Sequence, residues 1–305
     1  MKIRFLSISL FLSSLFSFSQ TAQEFYENAN ARFNIQSYNS AIQYFSKAIE
    51  LEPENEQFYM GRGFSKFNLK DYDGAIIDFN KVIEINPIYG FAYYKRGESN
   101  YYLNNIENAL NDFHKAIENG QINASSYAYR GKIKKSLRYF SDALNDFNKS
   151  IEIAPEFSEA YFERGDTKLY LNDNEGAIND FEFYIKEFPN HFKAYFLIGY
   201  AKIKLFEYKE SLIFLNKSIE LNPIFSESYF NRGIAMLHLG EYYGAIDNFD
   251  LILDTNSEYD FAYFLRGKAK YKLGDEKGAC KDWAKAIEFG YKDDNGYIKQ
   301  HCKQY

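Results

Sequence analysis

The chain has 305 residues, of which 46% are hydrophobic and 26% are charged, a globular composition that excludes wholesale disorder. It contains 28 Tyr and 30 Phe but only 5 Pro and 2 Cys, which excludes a proline-rich linker and a disulfide-dense scaffold. The formal net charge of −6 disfavours a nucleic-acid partner, because binding to a phosphate backbone requires a basic surface.

The N-terminal segment 1–20 has the pattern of a secretory signal peptide. Lys2 and Arg4 precede an apolar, serine-rich run from Phe5 to Phe18, and small residues mark a cleavage site near Ser19. A membrane anchor is the alternative, but the run of about 14 residues is shorter than the ~20 that a spanning helix needs. We therefore expect an exported protein, periplasmic or secreted, whose mature chain has no membrane span.

The rest of the chain has a 34-residue period. One column of small residues consists of Ala29, Gly63, Gly97, Gly131, Gly165, Gly199, Gly233 and Gly267. A second column consists of Ala41, Ala75, Ala109, Ala143, Ala177, Ser211, Ala245 and Ala279. All five prolines share one further phase: Pro53, Pro87, Pro155, Pro189 and Pro223. Such a regular arrangement indicates one structural unit repeated along the chain.

Each repeat has the pattern of a helical hairpin. In the second repeat, Tyr59, Gly63 and Phe67 have the spacing of one helix, and Ala75 and Phe79 have that of another. The small residues allow the two backbones to approach closely, and the proline that follows ends the second helix. A single hairpin is too small to bury its aromatic side chains, so neighbouring hairpins must stack.

These columns resemble the tetratricopeptide repeat (TPR) family, whose unit has the same length, and the N-terminus adds the character of an exported bacterial protein. The resemblance implies an all-α, right-handed α-solenoid in which the first helix of each pair lines a concave groove. It also implies protein or peptide binding, and no catalysis. The eight units are 22–55, 56–89, 90–123, 124–157, 158–191, 192–225, 226–259 and 260–293.

Arginine precedes the glycine column in six units, and five of these units carry Asp sixteen residues later. The pairs are Arg62 and Asp78, Arg96 and Asp112, Arg130 and Asp146, Arg164 and Asp180, and Arg266 and Asp282. The two units without Arg also lack this Asp; the sixth has Ile198 and Phe214 instead. The correlation favours an ion pair within each hairpin. Binding of an anionic ligand by these arginines is the alternative.

A stripe along the first helices is the candidate binding surface, because residues at i, i+4 and i+8 share one helix face. Its first positions are Tyr26, Met60, Tyr94, Ala128, Phe162, Phe196, Phe230 and Phe264. Its second positions are Asn30, Phe64, Glu98, Lys132, Asp166, Tyr200, Ile234 and Lys268. Its third positions are Asn34, Asn68, Tyr102, Ser136, Tyr170, Lys204, His238 and Lys272.

We predict a peptide-binding groove formed by the aromatic members of this stripe, as rigid anchors with a polar rim. The candidate residues are Tyr26, Phe64, Tyr94, Tyr102, Phe162, Phe196, Tyr200, Phe230 and Phe264. Alternatively, the first-position rings are buried between neighbouring units and only their edges reach the groove. Some TPR domains grip a terminal carboxylate with Lys, Asn and Arg; aromatic residues occupy the place of the first Lys here, which disfavours that mode.

No motif points to catalysis, a cofactor or a metal. The four His lie in different units, and the chain has neither a His-Glu-x-x-His nor a Cys-x-x-Cys motif. The leading hypothesis is a non-catalytic scaffold for a protein or peptide partner. A structural subunit of an envelope or secretion assembly is the alternative, and an enzyme or a carbohydrate binder is a more distant one.

The C-terminal segment 294–305 is predicted to form a short capping helix, with Asp294 or Asn295 at its start. Such a helix brings Cys302 near Cys280, and an exported protein meets oxidising conditions. A disulfide between these cysteines is one hypothesis, and two buried free thiols are the other.

Overall fold

We describe residues 20–293 and 295–302 from a computed structural model. The predicted signal peptide up to Ser19 and the candidate cap residue Asp294 lie outside this range. Within the described part all regular elements are helices. They are α1 (Ala22–Asn34), α2 (Tyr38–Leu51), α3 (Glu56–Asn68), α4 (Tyr72–Ile85), α5 (Gly90–Tyr102), α6 (Ile106–Glu118), α7 (Ala124–Ser136), α8 (Phe140–Ile153), α9 (Ser158–Tyr170), α10 (Asn174–Glu187), α11 (Phe192–Lys204), α12 (Tyr208–Leu221), α13 (Ser226–Leu239), α14 (Tyr242–Thr255), α15 (Asp260–Lys272), α16 (Glu276–Glu288) and α17 (Tyr297–His301).

Helices α1 to α16 pack pairwise as eight hairpins, hairpin one being α1 with α2, so the expectation of an all-α fold built from helical hairpins is confirmed. The chain divides into two compact units, of which the first ends at Gln121 and the second begins at Ile122. Hairpins one to three belong to the first unit and the others to the second. In the described residues, no helix has the length and apolar character needed to cross a membrane.

The small column allows close contact inside each hairpin. A Cβ on Gly63 would lie 2.7 Å from Cε1 of Phe79, and one on Gly267 would lie 2.5 Å from Nε1 of Trp283. The large side chains facing this column are fully buried: Phe45, Phe79, Phe113, Phe147, Phe181, Leu215, Phe249 and Trp283. A glycine on one helix and a ring on the other therefore form the core of a hairpin.

The turn between the two helices of each hairpin contains one residue in the left-handed conformation. These residues, with φ between 59 and 83°, are Gln36, Lys70, Asn104, Arg138, Asn172, Phe206, Gly240 and Gly274. After this residue, Asp71, Asp173 and Asp275 begin their helices, and each side chain accepts a hydrogen bond from a glycine N–H. Phe206 is the apolar member of the left-handed set.

The proline column ends the second helices. In the hairpins that have a proline, and in hairpin seven with Ser257, one capping residue separates the helix from this column. Hairpin three has Gln121 there, and its helix ends at Glu118, two residues before the left-handed Gly120, whose φ is +84°. The chain divides into its two units directly after this glycine and Gln121.

The C-terminal helix α17 packs on α16 and buries Ile298. The carboxylate of Asp293 accepts hydrogen bonds from the backbone N–H groups of Ile298 and Lys299, at 2.9 and 3.2 Å. Asp293 therefore fills the capping role that the sequence assigned to Asp294 or Asn295, because the chain reaches the helix through left-handed Gly296. Cys280 and Cys302 are joined by a disulfide, with their Cα atoms 5.8 Å apart.

Candidate functional site

The five Arg and Asp pairs lie in direct contact across their hairpins. In hairpin five, Nε and Nη2 of Arg164 donate to the two carboxylate oxygens of Asp180, at 2.9 and 2.6 Å. Lys168 adds a contact of 2.8 Å to the same carboxylate, which is almost completely buried. The shortest nitrogen–oxygen distances in the five pairs are between 2.6 and 2.7 Å. This arrangement is a bidentate ion pair that holds the two helices together.

A further contact of the arginines escaped the sequence reasoning. Nη1 of Arg164 donates to the side-chain oxygen of Asn148 in the preceding hairpin, at 2.8 Å. Equivalent bonds join Arg62 to Ser46, Arg96 to Asn80, Arg232 to Asn216 and Arg266 to Asp250. The signal was present as a polar residue sixteen positions before these arginines. Each of them thus closes its own hairpin and ties it to the previous one.

The partners of the arginines also set their pKa values. Burial opposes the charge of Arg266, but the hydrogen bonds and charges of Asp282 and Asp250 outweigh it and raise its pKa. Arg232 contacts the neutral amides Asn248 and Asn216, and burial lowers its pKa. These guanidinium groups are engaged inside the repeat, and this favours the structural interpretation over binding of an anionic ligand.

The first positions of the stripe lie largely in the interior. Met60, Tyr94, Ala128 and Phe264 are buried. The rings of Tyr26, Phe162 and Phe230 are half-buried, and their centroids lie 5.9, 5.6 and 6.0 Å from those of Phe45, Phe181 and Phe249. This burial favours the alternative in which only the edges of these rings reach the surface.

Two predicted groove residues are therefore not available as a contact surface. Tyr94 is only 7% exposed because it packs between Phe91 and Phe113, and its hydroxyl donates to Glu98. Phe264 is 8% exposed because Tyr291 stacks on it at 4.2 Å. The ring of Phe264 is covered by a segment beyond its hairpin, which the spacing within one helix could not reveal.

The third positions form the open part of the stripe, and all eight are exposed. In hairpins three, five and seven this position carries a ring that stacks on the first residue of the preceding second helix. Tyr102 stacks on Tyr72 at 5.0 Å, Tyr170 on Phe140 at 4.7 Å, and His238 on Tyr208 at 4.5 Å. The stacked rings recur in every second hairpin, so this surface does not follow the simple 34-residue repeat.

A pocket of about 260 Å³ lies on the stripe where hairpins five and six meet. It is lined by Asp166, Leu169, Tyr170, Phe196, Leu197 and Tyr200. Two of the predicted groove candidates, Phe196 and Tyr200, line its wall, and a third, half-buried Phe162, packs against the core cluster that contains Leu197. Tyr170 was named for its stripe position but not among the candidates; its exposed fraction of 58% marks it as the outer wall.

Charge around this pocket is partly neutralised. Lys135 lies 2.5 Å from Asp166 and 2.6 Å from Glu163, and burial is outweighed by these two carboxylates, so the pKa of Lys135 is raised. On the other side, Nζ of Lys204 lies 5.1 Å from the centroid of the Tyr200 ring. The pocket is thus apolar in its walls, with a paired carboxylate at one side and a lysine at the other.

An aromatic cluster lies where hairpin five leads into hairpin six. The ring of His191 lies 5.1 Å from both Phe162 and Tyr184, and Tyr184 stacks on Phe188 at 4.8 Å. Burial, with a smaller contribution from Lys193, lowers the pKa of His191, whose Nδ1 has no hydrogen-bond partner within the described residues. Tyr184 therefore fills the space between Phe162, Phe188 and the His191 turn that leads into hairpin six.

Phe64, another predicted groove residue, packs inside the repeat. Phe64 is half-buried against Phe79 and Phe91, with the Lys95 ammonium 5.3 Å from its ring centroid. Over residues 20–293 and 295–302, no cluster of His, Cys, Asp and Glu has the composition of a metal site.

Family models match four stretches of the chain. All four describe the tetratricopeptide repeat, and they cover residues 26–87, 91–119, 192–225 and 214–247. The chain contains tetratricopeptide repeats. TPR proteins are generally interaction scaffolds, and the family is generally non-catalytic.

Solved structures show the same fold. YrrB, described as a TPR protein with an unusual peptide-binding site, is 22% identical with a TM-score of 0.56; the match covers 60% of this chain and 95% of YrrB. MamA from Desulfovibrio magneticus RS-1, solved from residue 41 to its end, is 18% identical with a TM-score of 0.52, over 55% of this chain and 95% of the solved MamA chain. No curated protein matches the chain at a significant level. At these identities the similarity establishes the TPR fold alone.

Proposed function

We propose that the chain is a non-catalytic scaffold that binds a segment of a partner protein in the pocket between hairpins five and six. The observation that carries this proposal is the pocket itself, with the walls of Tyr170, Phe196 and Tyr200 and a floor of Leu169 and Leu197. Aromatic rings with few rotatable bonds supply contact area at a low entropic cost, so such a site suits an apolar side chain of a bound segment.

The support of the pocket also fits a binding role. Phe196 is fixed by Phe225, 5.1 Å away, and Tyr170 by its stacking on Phe140. Because both rings are held by neighbours, little order has to be gained when a ligand binds. The peptide-binding site attributed to YrrB supports the same class of function for this TPR protein.

We also propose that the protein is exported and acts in the periplasm or outside the cell. The charged start and short apolar run of segment 1–20 support this, and so does the Cys280–Cys302 disulfide, since such bonds persist in oxidising compartments. The N-terminal sequence of protein recovered from the producing cell tests it; a mature start near Gln20 is expected, and an intact Met1 in the cytoplasm contradicts it.

Selection from a displayed random-peptide library against the mature chain tests the binding proposal. We expect selected peptides to share an apolar anchor residue. We also expect their affinity for the variant Tyr170→Ala with Tyr200→Ala to be at least about tenfold weaker, as for a central interface contact. Tyr139→Ala is the matched control, because Tyr139 is as exposed as Tyr170 but does not line the pocket.

Two results would contradict the proposal. One is that no peptide is selected; the other is that selected peptides bind the double variant and the unmodified chain equally well. Recovery of the native chain only in a complex of fixed composition, together with either result, would favour the structural-subunit alternative.

A further inference from the structure

Phe206 is exposed at a place where the fold does not require it. It occupies the left-handed position of the hairpin-six turn, with φ of +62°, and its side chain is 76% exposed. A bulky residue in this conformation is strained, and the same position in hairpins seven and eight is Gly240 and Gly274. Five other hairpins carry a polar residue here, whereas Phe206 leaves most of an apolar ring in water, so a contact outside the chain is a reason for it.

The ring of Phe206 continues into a second aromatic group. Tyr208 lies 6.3 Å from it in an edge-on arrangement, and His238 stacks on Tyr208 at 4.5 Å with an interplanar angle of 3°. His238 is a third-position residue of the stripe and is exposed. Phe206, Tyr208 and His238 thus form one continuous aromatic surface beside the stripe.

Cations without ion-pair partners accompany this surface. Lys204, Lys268 and Lys272 occupy second or third stripe positions in hairpins six to eight, and among the described residues none of them forms an ion pair. No Asp or Glu occupies either position in these three hairpins. By contrast, Lys132 and Lys135 of hairpin four are paired with carboxylates. We call Lys204, Lys268 and Lys272 the basic track. His238 lies between them on the stripe but is an aromatic member only, since burial and the charge of Lys268 lower its pKa.

A net cationic stripe is unexpected in a protein whose formal net charge is −6. Solvent-exposed lysines usually have nearby carboxylates in an acidic protein, and the second helices follow that rule: Lys149, Lys217 and Lys285 each pair with a glutamate three residues later. The basic track departs from it on the same face that carries the pocket. Electrostatic complementarity then assigns a negative partner.

Resting on the proposed function, we propose that the bound segment is acidic. Its apolar residue enters the pocket, its Asp or Glu side chains follow the basic track, and Phe206 covers an adjoining apolar residue. The track offers one lysine in hairpin six and two in hairpin eight along one stripe, which suits an extended polypeptide better than a broad lipid surface. The lysine beside Tyr200 joins the pocket to the track, so one segment can reach both.

The peptides selected on the mature chain provide the test, measured by fluorescence anisotropy with synthetic copies. Asp and Glu should be enriched in them, and their affinity should fall as ionic strength rises. The variant Lys204→Gln, Lys268→Gln and Lys272→Gln should bind about tenfold more weakly. The control variant Lys149→Gln, Lys217→Gln and Lys285→Gln changes the net charge equally on the second helices, and its affinity should be unchanged.

The variant Phe206→Gly provides a second, independent test of the proposal. Because glycine relieves the left-handed strain, this variant should melt at a higher temperature than the unmodified chain while binding the peptides several-fold more weakly. Arg138→Gly is its matched control at the same turn position of hairpin four, where φ is +65°; it should gain stability without loss of affinity. A variant that is more stable and binds less well cannot owe its binding defect to misfolding.

The outcomes separate the two proposals. We call Lys204→Gln with Lys268→Gln and Lys272→Gln the stripe lysine variant. The proposal of an acidic segment would be overturned if the pocket-dependent peptides are neutral or basic, or if they bind this variant normally. The proposed function would then still stand. Failure to select any pocket-dependent peptide would overturn both. Binding to phosphatidylglycerol vesicles that is lost in the stripe lysine variant, without peptide binding, would instead assign the track to an anionic membrane surface.

Discussion

Two features of the molecule differ in how strictly they repeat: the ion pairs between Arg and Asp, and the stripe along the first helices. The ion pair occurs with almost identical geometry in five hairpins and is buried in each, whereas the open third position of the stripe changes from Asn to Tyr, Ser, Lys and His along the chain. Packing of the two helices poses the same problem in each hairpin and favours a repeated contact, but a ligand contacts each hairpin differently. The strictly repeated residues therefore serve the architecture, and the variable open ones are the place to look for binding.

Hairpin six is informative for this comparison because it lacks the repeated ion pair between Arg and Asp. Ile198 is fully buried where six hairpins have Arg, and Lys202 pairs with Glu207 at 2.5 Å because Phe214 replaces the usual Asp. Leu215 takes the place of the core Phe. The hairpin that departs from the repeated core also carries Tyr200, Lys204 and Phe206, so the specialised surface and the specialised core coincide.

Removal of the terminal disulfide should have the largest effect on stability. The bond closes a separation of 22 residues, so Cys280→Ala with Cys302→Ala should lower the free energy of unfolding by about 2–4 kcal/mol. The loss should be confined to hairpin eight and α17, because each hairpin contacts chiefly its neighbours. Hydrogen exchange of the double variant checks this; faster exchange in hairpins four to six as well would contradict local stabilisation.

The disulfide bond can be tested directly by counting free thiols. Thiol titration of the denatured, unreduced mature chain should find no free thiol in a monomer. Two free thiols per chain would restore the hypothesis of two buried cysteines.

Loss of one repeated ion pair should cost somewhat less. Arg164→Ala leaves buried Asp180 with Lys168 alone, so we expect the free energy of unfolding to fall by about 1–3 kcal/mol. Arg164→Ile with Asp180→Phe copies the residues of hairpin six and should recover part of that loss. Chemical denaturation of both single variants and the double variant measures the coupling, and strict additivity would count against direct stabilisation.

Titration of His191 should give the smallest effect. Because its pKa in the folded chain is lowered below the usual 6.5, the contribution of neutral His191 to stability is fully present above pH 6.5. It is lost as the pH falls through the lowered folded value, by about 0.5 kcal/mol or less after solvent screening. His191→Phe, which copies Phe157 and Phe225, should remove this loss. Denaturation at pH 7.5 and 5.0 compares the two, and an equal decrease in both would contradict the assignment.

The repeat, its hairpins and the partners of five arginines follow from the sequence because each depends on spacing along one or two helices. The burial of Phe264 does not, since Tyr291 from the segment after α16 covers its ring. The burial of Tyr94 depends on how its ring packs between Phe91 of the same helix and Phe113 of the facing helix. The strain at Phe206 could not be predicted for another reason. The residue type is visible in the sequence, but its φ is set by the turn. The pocket depends on side chains of two hairpins and emerges only when they are stacked.

The most direct test of the separation between architecture and binding surface uses one variant and two measurements. For Tyr170→Ala with Tyr200→Ala, peptide affinity and melting temperature should be determined on the same preparation. We expect affinity to fall at least about tenfold while the melting temperature changes by no more than about 2 °C, because Tyr170 is largely exposed and Tyr200 half-buried. A fall in melting temperature in proportion to the loss of binding, or a stable variant that binds normally, would contradict it.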